Sequence, residues 1–221
     1  MNQIKLSPRL QTIADFVPHG AKCADIGTDH GYIPVYLVQN GICTSVIASD
    51  INKGPSESAI RSGQYYGVDD KIRYICAPGL DGILKGEVDT IIIAGMGGET
   101  IIQILQDAPW LDESITLILQ PQSKIELLQR YLSLRGFVPD KAKLVKDAGK
   151  LYLAFRATIL DAVCDDYFLN LLDDDELKNE YIDSHLKQLK VRAHGLKTAG
   201  KENEEYFEIQ KKIEYLSSKR R

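Results

Sequence analysis

Over residues 1–160, short apolar runs alternate with amphipathic stretches. Residues 22–26 predict a buried strand, followed by a turn at 27–31 and a helix over 32–40 that Gly41 stops. A second strand is expected at 45–50, a helix at 55–66 ended by Gly67, a third strand at 72–76 and a fourth at 90–94. A helix at 99–106, a fifth strand at 116–119 and a helix at 124–134, ended by Gly136, complete the alternation. Strands separated by helices at this spacing imply right-handed crossovers and a parallel sheet. The unbroken apolar run Ile91-Ile92-Ile93 suits a sheet covered on both faces. Residues 137–146 and 151–159 then read as two strands separated only by Asp147-Ala148-Gly149-Lys150, a hairpin spacing that makes them antiparallel.

Residues 161–221 differ in character. Leu177, Tyr181, Ile182, Leu186, Leu189, Ala193 and Leu196 recur at helical spacing, as do Tyr206, Ile209, Ile213 and Leu216. With the segment 194–200 between them, the two seams predict an antiparallel helical hairpin of coiled-coil type. Asp173-Asp174-Asp175-Glu176 supplies an acidic start suited to the helix dipole. Two domains are therefore expected, 1–160 and 161–221.

Composition narrows the function classes. The chain of 221 residues is 44% hydrophobic and 26% charged, an ordinary globular balance that argues against disorder. No apolar run reaches the ~20 residues of a membrane helix, and the start MNQIKLSPRL has no apolar signal-peptide centre. Cys23, Cys43, Cys76 and Cys164 are widely spaced without a CxxC pair, so neither a metal site nor a disulfide framework is expected, and a cytoplasmic location fits. With 27 basic and 31 acidic residues the net charge is −4, which excludes a grossly basic nucleic-acid binder but not a local basic patch.

The segment Asp25-Ile26-Gly27-Thr28-Asp29-His30-Gly31 joins a strand to a helix as DxGxDxG, not as the dinucleotide fingerprint GxGxxG. A pyrophosphate seeks bare amides at a helix N-terminus, and carboxylates would repel it. They suit a ligand carrying an amine and a sulfonium charge, as S-adenosyl-L-methionine does. A glycine-rich turn of a purely structural kind is the bland alternative. Asp50, at the end of the second strand, can accept hydrogen bonds from ribose hydroxyls, or else it or Asn52 caps a helix. The run Cys76-Ala77-Pro78-Gly79-Leu80-Asp81-Gly82 at the end of the third strand should lie beside an adenine, with Pro78 and Leu80 packing on the base, or else it is an ordinary turn. Ala94-Gly95-Met96-Gly97-Gly98 after the fourth implies close approach to the backbone.

The D/N-P-P-aromatic motif that grips an exocyclic amine is absent there. A ring nitrogen with a free lone pair, such as adenine N1, remains compatible, and its methylation needs alignment more than a base. Asp29 is the candidate to stabilise the charge that develops on the purine, and His30 the candidate to orient the base; loop ordering is the alternative for each. Gln120 and Gln122 flank Pro121 where amides can meet a base edge. Ser7 is a candidate N-cap with Pro8 at the first helical position, which leaves Arg9 to reach a carboxylate or a phosphate. Lys187, Lys190, Arg192, Lys197 and Lys201 form a basic stretch without acids, a candidate phosphate contact or a solvated helix face.

DIGTDHGYIP at 25–34, together with AGMGG at 94–98 and the opening Ser7–Leu10, resembles the TrmK family, the bacterial tRNA (adenine-22-N1)-methyltransferases. The resemblance implies a class I methyltransferase (Rossmann-like) fold: a seven-stranded, mostly parallel sheet with an antiparallel terminal hairpin, plus a C-terminal coiled-coil hairpin that helps to hold tRNA. It implies S-adenosyl-L-methionine as donor. The expected donor contacts are Arg9, Asp25, Ile26, Gly27, Thr28, Gly31, Tyr32, Asp50, Ile51, Ala77, Pro78, Gly79, Ala94, Gly95 and Met96. The chain departs from many relatives in having Ala77-Pro78-Gly79-Leu80 in place of a G-D/N-G-L run, so backbone groups must substitute for a side chain at the adenine amine. It also carries Asp50 where Glu is common. Two other readings remain open: a small-molecule methyltransferase of the same fold, and a non-catalytic RNA-binding module that retains a cofactor pocket. A nicotinamide oxidoreductase is the more distant one.

Overall fold

Seven strands form one sheet in the order β3-β2-β1-β4-β5-β7-β6. They are β1 (Cys23–Ile26), β2 (Val46–Asp50), β3 (Ile72–Cys76), β4 (Thr90–Gly97), β5 (Thr116–Ser123), β6 (Phe137–Asp147) and β7 (Lys150–Ile159). The structure, a computed structural model, describes residues 2–159 and 168–220. Cys164 and the expected 160/161 boundary lie outside them. β1 to β5 pair in parallel, and β7 runs antiparallel to both β5 and β6. This is the class I methyltransferase plan expected from the sequence.

The chain divides into two compact units, Met1–Leu171 and Leu172–Arg221. The division falls later than the expected boundary because a 3-10 turn at Phe168–Leu171 packs against β6 and so belongs to the sheet unit.

Helices α1 (Pro8–Ala14), α2 (Tyr32–Gln39), α3 (Lys53–Tyr66), α4 (Gly98–Gln106) and α5 (Ile125–Leu134) belong to the sheet unit. Ile91, Ile92, Ile93, Leu117, Ile118 and Leu119 are wholly buried, as a sheet covered on both faces demands. Ser7 caps α1 with its side chain, accepting from the Leu10 amide, and Pro8 follows it. The β6–β7 hairpin closes on Ala148 and Gly149, both left-handed (φ 47° and 76°), which is the twist a two-residue turn requires.

β4 and β5 outrun their apolar cores. Their pairing continues through Met96–Pro121 and Gly97–Ser123 by register shifts, so Gly95 and Gly97 are bulged strand and not loop, while Gly98 opens the next helix. Among the described residues, the connection 77–89 between β3 and β4 contains turns and no helix.

In the second unit, α6 (Asp175–Thr198) and α7 (Glu204–Lys219) pack together. Asp174 and Asn203 cap them through their side chains. The ion pairs Arg192–Glu205 and Asp183–Arg220 step in opposite directions along the two helices, which makes the pair antiparallel. The turn is shorter than the expected 194–200, because α6 continues through Gly195. Gly200 stops it: at φ 67° it lets the Lys201 amide reach the Leu196 carbonyl and its own amide reach that of Lys197. Among the described residues no helix is long and apolar enough to cross a membrane.

Gly31, at φ 69°, opens α2, and a Cβ there would lie 2.9 Å from the Ala59 Cβ and 3.0 Å from its Cα on α3. Gly31→Ala is expected to destabilise the protein by about 1–3 kcal/mol through backbone strain and overpacking. Urea unfolding followed by circular dichroism measures this; an unchanged midpoint would mean that α2 and α3 separate without cost.

Candidate donor-binding site

β1 lies between β2 and β4, so the chain runs outward through β2 and β3 and then crosses back to β4. Open α/β sheets bind ligands at the carboxyl ends of the strands flanking such a switch point. A cavity of about 620 Å³ opens there, lined by Ile26, Gly27, Asp50, Ile51, Asn52, residues 77–83, Ala94, Gly95, Met96, Thr100, Gln103, Ile104, Asp107 and Trp110. That volume lies within the range of small-molecule sites, about 300–1,000 Å³.

The turn after β1 is fastened to the end of β2. The Gly27 and Thr28 amides both donate to the Ser49 carbonyl, at 2.8 and 3.0 Å. The Asp29 amide reaches the Asp50 carboxylate at 3.4 Å, and the Asn52 amide donates to its other oxygen at 2.9 Å. The Asp50 backbone carbonyl accepts from the Ala77 amide. Asp50 is thereby held against the cavity wall by three segments of chain. Met96 lies across the gap between β1 and β4: a Cβ on Gly27 would meet its Cε.

Of the expected donor contacts, Ile26, Gly27, Asp50, Ile51, Ala77, Pro78, Gly79, Ala94, Gly95 and Met96 line the cavity. Asp25, Thr28, Gly31 and Tyr32 stand behind or beside it. Asp25 is buried and accepts a 2.7 Å hydrogen bond from the Thr28 hydroxyl, so both side chains are occupied in holding the turn. Asp29 and His30 are also outside the wall. Their side chains are largely exposed, with His30 Nε2 3.8 Å from the Asp29 carboxylate and its ring stacked on Tyr32 at 5.3 Å.

Arg9 comes to the same edge from α1. Its Nη1 donates to Gln120 Oε1 at 2.9 Å, its guanidinium sits over the Tyr152 ring, and a Cβ on Gly95 would lie 3.5 Å from Nη1 and 3.7 Å from Gln122 Nε2. Gln122 is exposed, as a base-reading amide must be. Gln120 is not: it is fully buried between Arg9 and the Pro121 carbonyl, which corrects the expectation that it meets a base edge. Its pairing with Ala94 continues the regular register of β4 and β5 one residue past the apolar run, and what packs on its side chain comes from α1, which an apolar pattern does not reveal. Lys187, Lys190, Lys197 and Lys201 are exposed on or just after α6. Arg192 is exposed as well and pairs with Glu205 on α7.

Sequence reasoning placed the loop that carries Asp81 here but missed Asn52, Thr100, Gln103, Ile104, Asp107 and Trp110. The missing helix between β3 and β4 was the available signal, since it leaves a face of α4 uncovered.

Burial pushes the Asp25 carboxyl up to about 7; the Thr28 hydrogen bond opposes this and the nearby Asp50 charge adds to it. A carboxyl raised above its unfolded value favours the folded state fully below pH 3.8, and that contribution is lost as pH rises to about 7. Asp25→Asn is expected to stabilise the chain more at pH 8 than at pH 4, by up to about 1.4 kcal/mol for each pH unit in that window. Thermal unfolding at both pH values measures this; equal effects would show that Asp25 is ionised at no cost.

A methyltransferase-domain family matches residues 6–155. The tRNA (adenine(22)-N(1))-methyltransferase of Bacillus subtilis is 40% identical over 153 residues, which is 69% of this chain and 64%, just under two thirds, of that protein. The crystal structure of the B. subtilis m1A22 tRNA methyltransferase TrmK superposes with a TM-score of 0.84 at 29% identity, covering 99% of this chain and 100% of that one. A Streptococcus pneumoniae protein solved with S-adenosyl-L-methionine gives 0.74 at 27% identity, covering 98% and 100%. The sequence match extends over more than half of the chain and the structural match over nearly all of it, and the chain belongs to the methyltransferase-domain family and, within it, to the TrmK family.

Proposed function

We propose that this chain transfers a methyl group from S-adenosyl-L-methionine to N1 of adenine 22 in bacterial tRNA. The observation that carries the reading is the charge of the cavity wall. Its ionisable side chains are Asp50, Asp81 and Asp107, all acidic, at the one edge of the sheet where this fold binds nucleosides. Such a wall favours a cationic nucleoside and disfavours a dinucleotide phosphate.

The bound donor supplies an electrophilic methyl group on a sulfonium sulfur. Asp50 suits the ribose hydroxyls, because the amides of Asp29 and Asn52 aim its carboxylate. Arg9, placed beside Gly95 by Gln120, suits the carboxylate of the amino-acid end. The remaining space, between 77–83 and α4, suits the base.

Adenine N1 carries a free lone pair, so the protein need supply orientation and not a general base. Gln122 stands beside Arg9 as the amide able to contact the target base. Asp29, whose amide reaches Asp50, is the residue we assign to the charge that develops on the purine, and the exposed His30 beside it the one that orients the base. The target adenine must leave its stack, at about a few kcal/mol. Exposed Lys187, Lys190, Lys197 and Lys201 supply phosphate contacts.

Incubating unmodified bacterial tRNA with methyl-labelled donor and mapping the labelled nucleotide tests the assignment; label at adenine 22 is expected, and label on a free metabolite alone overturns it. Asp29→Ala is expected to lower kcat by about tenfold or more with donor affinity unchanged, and normal turnover would leave Asp29 a loop-ordering residue. Lys187→Ala and Lys190→Ala should each weaken tRNA binding and reduce the slope of log affinity against log salt by about 0.9. Filter binding over a salt series reads both, and an unchanged slope would place tRNA elsewhere.

A further inference from the structure

The connection between β3 and β4 holds no helix among the described residues, so α4 itself walls the base end of the cavity. Thr100, Gln103, Ile104 and Asp107 line it at steps of three, one and three, which is one helical face. The loop opposite comes close to that face: a Cβ on Gly79 would lie 3.3 Å from Ile104 Cγ2. An adenine seated here presents an exocyclic amine, a donor that seeks an acceptor. In Ala77-Pro78-Gly79-Leu80 no side chain offers one.

On α4, Gln103 Nε2 donates to both carboxylate oxygens of Asp107, at 2.9 and 3.1 Å. A carboxylate only accepts, so this contact decides which end of the amide is which. Gln103 Oε1 is left as an acceptor of fixed orientation, and none of the described residues donates to it. We propose that Gln103, its amide held by Asp107, accepts the exocyclic amine of the donor's adenine and thereby selects adenine over a 6-keto purine. The inference rests on the reading of this cavity as a site for S-adenosyl-L-methionine. Gln103 is the specificity-determining contact, and Asp107 is a positioning residue that acts through it. A 6-keto purine carries an acceptor at the same place, which meets the oxygen of Gln103 and finds no donor.

The test is isothermal calorimetry of the full chain with S-adenosyl-L-homocysteine and with S-inosyl-L-homocysteine. The unaltered chain is expected to prefer the adenine form by on the order of tenfold. Gln103→Met, similar in length but without an acceptor, should bring the ratio close to one. Asp107→Asn, which can both donate and accept, frees the amide to turn and should also erode the ratio. Asp107→Glu should restore it. A purely structural role for Asp107 would shift both affinities together and leave the ratio unchanged, which would remove Asp107 from the proposal. An undiminished preference in Gln103→Met overturns the proposal while leaving the methyltransferase reading intact. So does a preference lost in Asp81→Ala and kept in Gln103→Met, which assigns the amine to the loop. Uptake of neither nucleoside by the unaltered chain overturns the methyltransferase reading itself.

Discussion

The fastening of the turn after β1 to the end of β2 is the interaction on which the site depends. One carbonyl, that of Ser49, takes the amides of both Gly27 and Thr28, and the next residue, Asp50, takes the amide of Asp29. A buried strand must become a helix within five residues here, and each amide turned inward needs an acceptor. By satisfying them from β2, the fold fixes the distance between the two strand ends and the direction of the Asp50 carboxylate together. Asp25 and Thr28 brace the turn from beneath. Their hydrogen bond only partly offsets the cost of burying a carboxyl, a strain tolerated where the geometry of a site is at stake.

A second constraint comes from the far edge of the cavity. β4 and β5 continue past their apolar cores through register shifts, which carry Gly95 and Met96 to the cavity wall. α1 is then tied down from the hairpin: Asp147 accepts from the Ser7 hydroxyl and from the Arg9 amide, and Gln120 receives the Arg9 guanidinium. Residues separated by more than a hundred positions in the chain thus determine where a single positive charge stands. The acidic wall and Arg9 beside it form a charge pattern that matches a zwitterionic, cationic nucleoside. The second unit carries its positive charge separately, on exposed lysines of α6.

Much of this was legible in the order of residues. The alternation of buried runs and helices, the hairpin around Ala148 and Gly149, and the helical pair all follow from local rules of periodicity and turn chemistry. The same holds for Gly27, Asp50 and Met96, because a glycine or an acid at the end of a predicted strand necessarily falls at the carboxyl edge of the sheet. Where the reading went astray, a local signal had two physical outcomes. The segment 194–200 read as the turn between the helices, but of its two glycines only Gly200 takes the left-handed conformation. Gln120 read as an amide able to meet a base edge because the group that covers it, the Arg9 guanidinium, comes from α1, more than a hundred residues earlier.

By itself the sequence determined the elements and their parallel and antiparallel senses, since these depend on neighbours along the chain. Only the tertiary structure decided which side chains form the wall. Thr100, Gln103 and Asp107 belong to it because the β3–β4 connection lacks a helix to cover them, and Asp25 does not because burial turns it toward Thr28. Whether a polar side chain serves a ligand or the fold depends on what packs against it from distant segments, and periodicity carries no information about that.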